Sequence, residues 1–175
     1  MASDAYLDLI NRSQIVEALA PGRDIGAQGR DVGAQFSGLK SFGQGGSRQL
    51  EYCAGLFNGS GINVADENDR KDPALRAVLR TGVEGLTLGG SYYNGKVGAT
   101  KLTHDRTGGE LIYGIGPWTL KSEYIAARDA AVDKRGWYAT VVRQFNPIVQ
   151  GVLRWTVLTR TRALPTTRRA RLPPA

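Results

Sequence analysis

The segment GELIYGIGPWTLKSEYI, residues 109 to 125, decides the fold of this chain. Its centre, Gly116-Pro117, has the composition of a tight turn, because proline presets the backbone for a turn and glycine adopts conformations closed to other residues. After the turn, residues of opposite character alternate: Trp118, Leu120, Ser122 and Tyr124 have one parity, and Thr119, Lys121 and Glu123 have the other. Successive side chains of a β-strand point to opposite faces. The segment therefore predicts a hairpin whose second strand has an apolar face and a polar face.

The same alternation recurs on both sides of this hairpin. It is found in RQLEYCAGLFNG (48–59), TGVEGLTLGGSYYNG (81–95), GWYATVVRQF (136–145) and IVQGVLRW (148–155). About seven such strands predict an all-β fold, an antiparallel meander, over residues 22–158. Residues 1–21 have a helix-like spacing of apolar residues, so we expect an irregular or partly helical lead-in. Residues 159–175 are expected to form a disordered basic tail.

The connections between the predicted strands differ in length. YGIGPW (113–118) and RQFNPIVQ (143–150) contain tight turns, whereas NGKVGATKLTHDRTGG (94–109) and ARDAAVDKRG (127–136) have the composition of long polar loops. Short and long connections that alternate between strands of about ten residues are typical of a transmembrane β-barrel. The segment DENDRKD (66–72) is expected to be a solvated connection, with a short helix beginning at Asp72-Pro73.

A soluble up-and-down barrel would show the same alternation with its apolar side turned inward, so the pattern alone leaves both folds open. The charge on the presumed inner face favours the membrane barrel, because such charge does not fit a dry core but is ordinary in a water-filled lumen. The residues concerned are the charged Glu51, Lys121, Glu123 and Arg154, together with the polar Gln150. The interpretation is a partial transmembrane β-barrel of about seven strands.

The net charge of +7 is concentrated at the C-terminal end. Residues 160–175 contain five arginines and no acidic residue, and the rest of the chain has 18 basic against 16 acidic residues. We therefore expect no nucleic acid as a partner. A single cysteine, Cys53, excludes an internal disulfide, and the single histidine, His104, is placed in a polar loop with nothing to pair with it. The prediction is a non-enzymatic protein without a metal or a cofactor.

Several segments together resemble the phosphate-selective porin O/P family of Gram-negative outer membranes. They are APGRDIGAQ, LEYCAGLFNGSGIN, DENDRKDPALR, GLTLGGSYYNG, GELIYGIGPWTLKSEYI and RGWYATVVRQFNP, and the resemblance extends from about Tyr6 to Arg154. It implies a sixteen-stranded barrel, usually a homotrimer, whose inner wall attracts anions through basic side chains. Phosphate is one candidate solute, since members of the family differ in selectivity.

Other features depart from that family and lead us to expect a fragment. No signal peptide precedes the strands, and no C-terminal strand ends in an aromatic residue. From Trp155 onward the alternation stops, so we expect disorder there and hypothesise that this end is translated in a shifted reading frame. GRDIGAQGRDVGAQ (22–35) is a tandem repeat of seven residues, an odd insertion that a strand could absorb only through a bulge or by placing one copy in the entry turn.

We predict, from this pattern and the resemblance, a passive outer-membrane channel for small anions, in contact with outer-membrane lipid. The expected anion-facing residues are Lys121, Arg154 and Arg143, with Glu51 and Glu123 as acidic neighbours. We expect Leu50, Tyr52, Leu56, Leu120, Tyr124, Leu153 and Trp155 to share the lipid-facing side. A soluble ligand-binding β-barrel and a non-functional product of a degraded gene are the alternatives.

Overall fold

A computed structural model describes residues 31–60, 65–66 and 68–162 of the chain. This part forms eight strands: β1 (Gly33–Phe42), β2 (Arg48–Phe57), β3 (Asp72–Arg80), β4 (Leu86–Val97), β5 (Leu102–Ile115), β6 (Trp118–Asp129), β7 (Val132–Gln144) and β8 (Gln150–Arg162). Each strand pairs antiparallel with the next in one open sheet of order β1 to β8, and a single 3₁₀ turn, Gln44–Gly46, joins β1 to β2. The predicted all-β antiparallel meander is confirmed, with eight strands instead of about seven.

Strand β3 is the element that the sequence analysis missed. The short helix expected at Asp72-Pro73 is wrong, because Asp72–Arg80 is a strand paired with both β2 and β4. The segment alternates, with Leu75, Ala77 and Leu79 on one parity and Arg76 and Arg80 on the other. The Arg80 side chain also donates a 2.7 Å hydrogen bond to Gln49 on β2. Period-two packing therefore prevails over the local capping signal.

The two long polar loops expected after β4 and β6 are also wrong. Strands β4 and β5 extend until only residues 98–101 join them, and residues 130–131 join β6 to β7. Polar residues continue the ladder because they pair across the strands: Asn94 donates to Asp105 at 2.7 Å, and Lys96 donates to Thr103 at 2.8 Å. Both pairs lie in register. Such cross-strand pairs stabilise a sheet without apolar burial. In the described part of the chain, the long connection is 58–71.

The ends of the sheet shift two predicted boundaries. Strand β8 continues to Arg162, so the expected disorder from Trp155 is wrong as far as residue 162, and the tail boundary at 158 falls inside a strand. Threonine and valine in this segment favour the extended backbone. The lead-in 1–21, the first copy of the repeat (22–28) and residues 163–175 lie outside the described residues. Strand β1 begins in the second copy, at Gly33.

The register runs without a bulge through all seven pairings, so every side chain can be assigned to one of two faces. We call them the apolar face and the polar face. The apolar face carries Leu50, Tyr52, Leu56, Leu120, Tyr124, Leu153 and Trp155, which therefore share one side as expected. They do not converge on a closed interior: Leu153 is 76% exposed and Trp155 is 68% exposed.

The polar face is the more buried one, although the described sheet is a single layer. The buried strand residues include Tyr93, His104, Arg106, Ile125, Tyr138 and Thr140, all on this face. Side chains crowd together on the concave side of a curved sheet and spread apart on the convex side. We infer that the sheet curls towards its polar face, as the wall of a barrel does.

The apolar residues form a band that crosses the strands obliquely. The turns 43–47, 81–85, 116–117 and 145–149 define the lower end of the sheet, and 58–71, 98–101 and 130–131 define its upper end. On β2 the band begins at Leu50. The residues aligned with Leu50 on the following strands form a register row, which meets β6 at Ser122. On β6, however, the band begins at Trp118, four residues lower. Four residues are about 13 Å along a strand, and four strand spacings are about 19 Å. The band therefore makes an angle of about 35° with the register rows.

Candidate lumen surface and its charged residues

Two of the predicted cations are brought together on the polar face of β6 to β8, in the lower half of these strands. Lys121 on β6 is in register with Thr140 on β7, which is in register with Arg154 on β8. The Arg154 Nε atom donates a 2.8 Å hydrogen bond to the hydroxyl of Thr140, whose exposed fraction is 0%. The Arg154 guanidinium also lies 5.0 Å from the centre of the Tyr138 ring. Lys121 and Arg154 thus flank one buried threonine, about 10 Å apart at two strand spacings.

The acidic neighbour Glu123 lies in the adjacent row. It shares the polar face with Lys121, two residues away, and is in register with Glu110 on β5 and Tyr138 on β7. Two carboxylates in register repel each other unless a cation is near. The cation is Arg76 on β3, whose Nη2 atom lies 2.5 Å from Glu110 Oε1.

This ion pair reaches from β3 to β5 across β4, and a glycine makes room for it. A Cβ atom at Gly89 would lie 2.3 Å from Glu110 Oε1, so any larger residue there would displace the glutamate. Arg76 and Glu110 were not predicted as site residues. Arg76 fell in the segment expected to be helical, and the alternation of Leu75, Ala77 and Leu79 was the signal that could have placed it.

Glu51 has the predicted face but not the predicted neighbours. It lies on the polar face of β2, in register with Leu39 and Val78. Four strand spacings, about 19 Å, separate β2 from β6. The expectation that Glu51 offsets the charge of Lys121 as a close neighbour is therefore wrong, because parity along one strand carries no information on distance across the sheet.

Arg143 is on the opposite face from the one predicted. It is in register with Trp118 and Gly151, both on the apolar face at its lower boundary. Its guanidinium lies 4.9 Å from the Trp118 ring and 5.0 Å from the Phe145 ring. Aromatic faces attract a guanidinium, which can then stay at the edge of apolar surface. The side chain is therefore not an anion-facing residue of the polar face.

A second charged cluster occupies the upper end of the polar face, around Asp129. One oxygen, Oδ1, lies 2.8 Å from His104 Nδ1 and 2.7 Å from Arg106 Nη1, and the other, Oδ2, lies 2.6 Å from Lys134 Nζ. His104 was expected in a polar loop, but it is 5% exposed and lies within β5. With the histidine counted as neutral, one carboxylate faces the two positive charges of Arg106 and Lys134, so this cluster carries a net positive charge.

On the polar face of the described strands, up to residue 160, basic residues outnumber acidic residues. Its basic residues are Arg76, Arg80, Arg106, Lys121, Lys134, Arg154 and Arg160. Its acidic residues are Glu51, Asp72, Glu110, Glu123 and Asp129. Counting histidine as neutral, two positive charges remain, and a concave surface with positive charge raises the local concentration of anions.

The long connection 58–71 is tied to the upper end of the sheet by polar contacts. Asn68 donates to the Lys96 carbonyl at 2.9 Å, and Arg70 donates to Asn94 at 2.6 Å. Within the connection, Lys71 donates to Asp66, and this hydrogen bond holds the pKa of the Asp66 carboxyl below its ordinary value. The predicted solvated connection is thus polar but ordered where the structure describes it.

The described residues contain no group of three or more histidine, cysteine or acidic side chains placed to hold a metal ion. Among them there is also no helix of the length and apolarity needed to cross a lipid bilayer. Compared with protein-family models, with curated protein sequences and with solved structures, the chain finds no match.

Proposed function

We propose that this chain forms eight consecutive strands in the wall of an outer-membrane porin of the phosphate-selective porin O/P type, a passive channel for small anions such as phosphate. The observation that carries the proposal is the uncovered apolar band across the convex face of the sheet. Lipid contact stabilises such a band, whereas water does not. The angle of about 35° between the band and the register rows is close to the tilt of strands in membrane barrels. If the strands are tilted by this angle, the band lies parallel to the plane of the bilayer.

The edges of the band have the composition of a membrane interface. Trp118 at the lower boundary and Tyr92, Tyr124 and Trp137 at the upper boundary are all exposed on the apolar face. Aromatic side chains of this kind concentrate at both interfaces of a bilayer. Beyond the upper boundary the apolar face also becomes polar, as Asp105, Arg128 and Asp133 illustrate.

The distribution of charge favours this proposal over a soluble barrel. A soluble barrel encloses its apolar face, and here the concave face carries the ion pairs instead, including the one made by the buried Arg106 with Asp129. Lys121 and Arg154 on this face are the residues to which we assign the attraction of anions. We accordingly propose an outer-membrane location, contact with outer-membrane lipid and a homotrimeric barrel of sixteen strands, with no enzymatic activity and no nucleic-acid partner.

The open edges indicate how such a wall would be completed. Strands β1 and β8 each pair on one side only among the described residues. A barrel in lipid has no free edges, since unpaired backbone groups are too costly there. The proposal therefore requires further strands beside β1 and β8.

A spin-label experiment tests the orientation of the two faces. The variants Leu120→Cys and Lys121→Cys, each made with Cys53→Ser in a channel that contains this chain and reconstituted in phosphatidylcholine vesicles, carry a nitroxide on neighbouring residues of opposite faces. We expect the label at residue 120 to collide more with oxygen, which concentrates in lipid, and the label at residue 121 to collide more with a water-soluble nickel chelate. The reverse order, or the same order in lipid-free buffer with the chain folded, would support the soluble barrel instead.

A further inference from the structure

A cleft lies on the apolar-face side of the sheet, immediately above the upper boundary of the band. It has a volume of about 240 Å³, and its lining includes Arg128 and Arg135 on either side of the strand β6–β7 pairing. Ala126, in register with Arg135 and with Thr107, is the small residue that forms its floor. The cleft faces outward and does not belong to the lumen surface.

The electrostatics of the cleft leave one arginine available to an anion. Arg128 lies between two aspartates in register, and its Nε atom is 3.4 Å from Asp133 Oδ1. Asp105 accepts a 2.7 Å hydrogen bond from Asn94. Arg135 is exposed, and no described residue forms a hydrogen bond or an ion pair with its guanidinium. A guanidinium binds a phosphate through two parallel hydrogen bonds, the geometry that makes arginine the usual phosphate ligand.

The apolar surface directly below the cleft has a furrow. Gly90 and Gly109 are in register on the apolar face, and a Cβ atom at Gly109 would meet nothing within 4 Å. Tyr124 and Trp137, also in register with each other, continue the same row, so that two aromatic rings stand beside the furrow. The furrow thus lies on β4 and β5 in the register row just below the cleft, whose lining residue Thr107 is two residues above Gly109 on the same face.

We propose that this cleft binds the phosphorylated headgroup of a membrane lipid, whose acyl chain lies in the Gly90–Gly109 furrow. The inference rests on the proposed function, because the apolar face must be in lipid for an acyl chain to reach it. Arg135 binds the phosphate directly, whereas the charge of Arg128, which lines the cleft on the neighbouring strand, is offset by Asp133. The site is distinct from the lumen surface, since Lys121 and Arg154 lie on the other side of the sheet.

Quenching of a single tryptophan by brominated lipid tests the proposal. In the variant with Trp118→Phe and Trp155→Phe, Trp137 is the tryptophan that remains, beside the cleft. We place this variant in a channel that contains the chain and has no other tryptophan, and reconstitute it in phosphatidylcholine vesicles that contain brominated phosphatidic acid or brominated phosphatidylcholine. We expect phosphatidic acid to associate more strongly, and Arg135→Gln to lower its relative association constant about fivefold, the effect of one basic side chain beside an anionic lipid. Gly109→Leu, which fills the furrow, should lower it as well.

Arg143→Gln is the matched control, because it removes an arginine from the same face at the opposite boundary, and it should leave the preference unchanged. Equal quenching by the two lipids, or an equal loss in the control, would overturn the lipid site while leaving the porin proposal intact. Displacement of phosphatidic acid by inorganic phosphate at the same concentration would identify a site for free anions and overturn the assignment of a lipid ligand. Absence of quenching by either lipid would refute the membrane proposal and the lipid site together.

Discussion

Replacement of Leu88 by arginine should strongly destabilise the sheet in lipid. On β4 the apolar band runs from Leu86 to Tyr92, which places Leu88 near its middle, with Leu79 and Leu111 as its register neighbours. Its side chain is 39% exposed on the lipid side. An arginine at the midplane of a barrel costs about 2–4 kcal/mol. The folded-to-unfolded ratio should therefore fall roughly 30- to 700-fold.

The matched control is Thr87→Arg, one residue away on the polar face, in register with Arg80 and Ile112. There water solvates the new charge, so we expect a much smaller loss of stability. A third variant, Ile115→Arg at the lower boundary of the apolar face, should cost about 0–1 kcal/mol, because the side chain reaches the interface. Equilibrium unfolding in guanidinium of channels that contain this chain, followed by tryptophan fluorescence in phosphatidylcholine vesicles, measures all three. Equal losses at residues 87 and 88, or a neutral Leu88→Arg, would refute the assignment of the two faces.

Three further outcomes are expected. In channels that contain this chain, Lys121→Glu should lower the anion-to-cation permeability ratio, measured as a reversal potential in a salt gradient, whereas Arg143→Glu on the other face should not; an unchanged potential for the first variant would remove Lys121 from the lumen. Gly85→Ala should lower the free energy of unfolding by at least about 1 kcal/mol, measured by denaturant unfolding, because the glycine has a φ of 74° and a Cβ there would lie 1.9 Å from a backbone oxygen of β5. In an NMR titration Asp66 should have a pKa below its ordinary value of 3.8. Its hydrogen bond with Lys71 then stabilises the fold fully above pH 3.8, and this stabilisation is lost as the pH falls through the lowered pKa. Lys71→Met should bring the pKa of Asp66 back towards 3.8.

The sequence was most informative where one strand has one apolar face. The alternation around Leu120 and around Leu153 predicted both the strands and the shared side of their apolar residues, because side-chain parity is a property of the local backbone. The turn at Gly116-Pro117 set the pairing of β5 with β6 for the same reason. Element type and facing direction could therefore be predicted from short segments.

Properties that depend on a second strand were not accessible in this way. The polar ends of β4 and β5 form a ladder because Asn94 meets Asp105 in register, and neither segment alone indicates its partner. The separation of Glu51 from Lys121 depends on the number of strands between them. β3 could not be counted while its proline and its acidic flank predicted a helix.

The candidate site shows the same division. Lys121, Arg154 and Glu123 lie on the predicted face because each alternates with apolar residues of its own strand. Arg143 was placed by its charge and not by its parity, and its parity puts it beside Trp118 on the apolar face. The partnership of Arg76 with Glu110 spans three strands and could be found only in the folded sheet.

The even number of strands has a consequence for how the chain is threaded. Strand β1 starts at the upper end of the sheet, each hairpin returns the chain to that end, and β8 finishes there. Residues 31 and 162 thus emerge in the same compartment if the sheet spans a bilayer. A reporter inserted next to either residue would be digested by a protease added to the same side. For the same reason, adding or removing a whole hairpin would leave the flanking polypeptide on the same side of the bilayer.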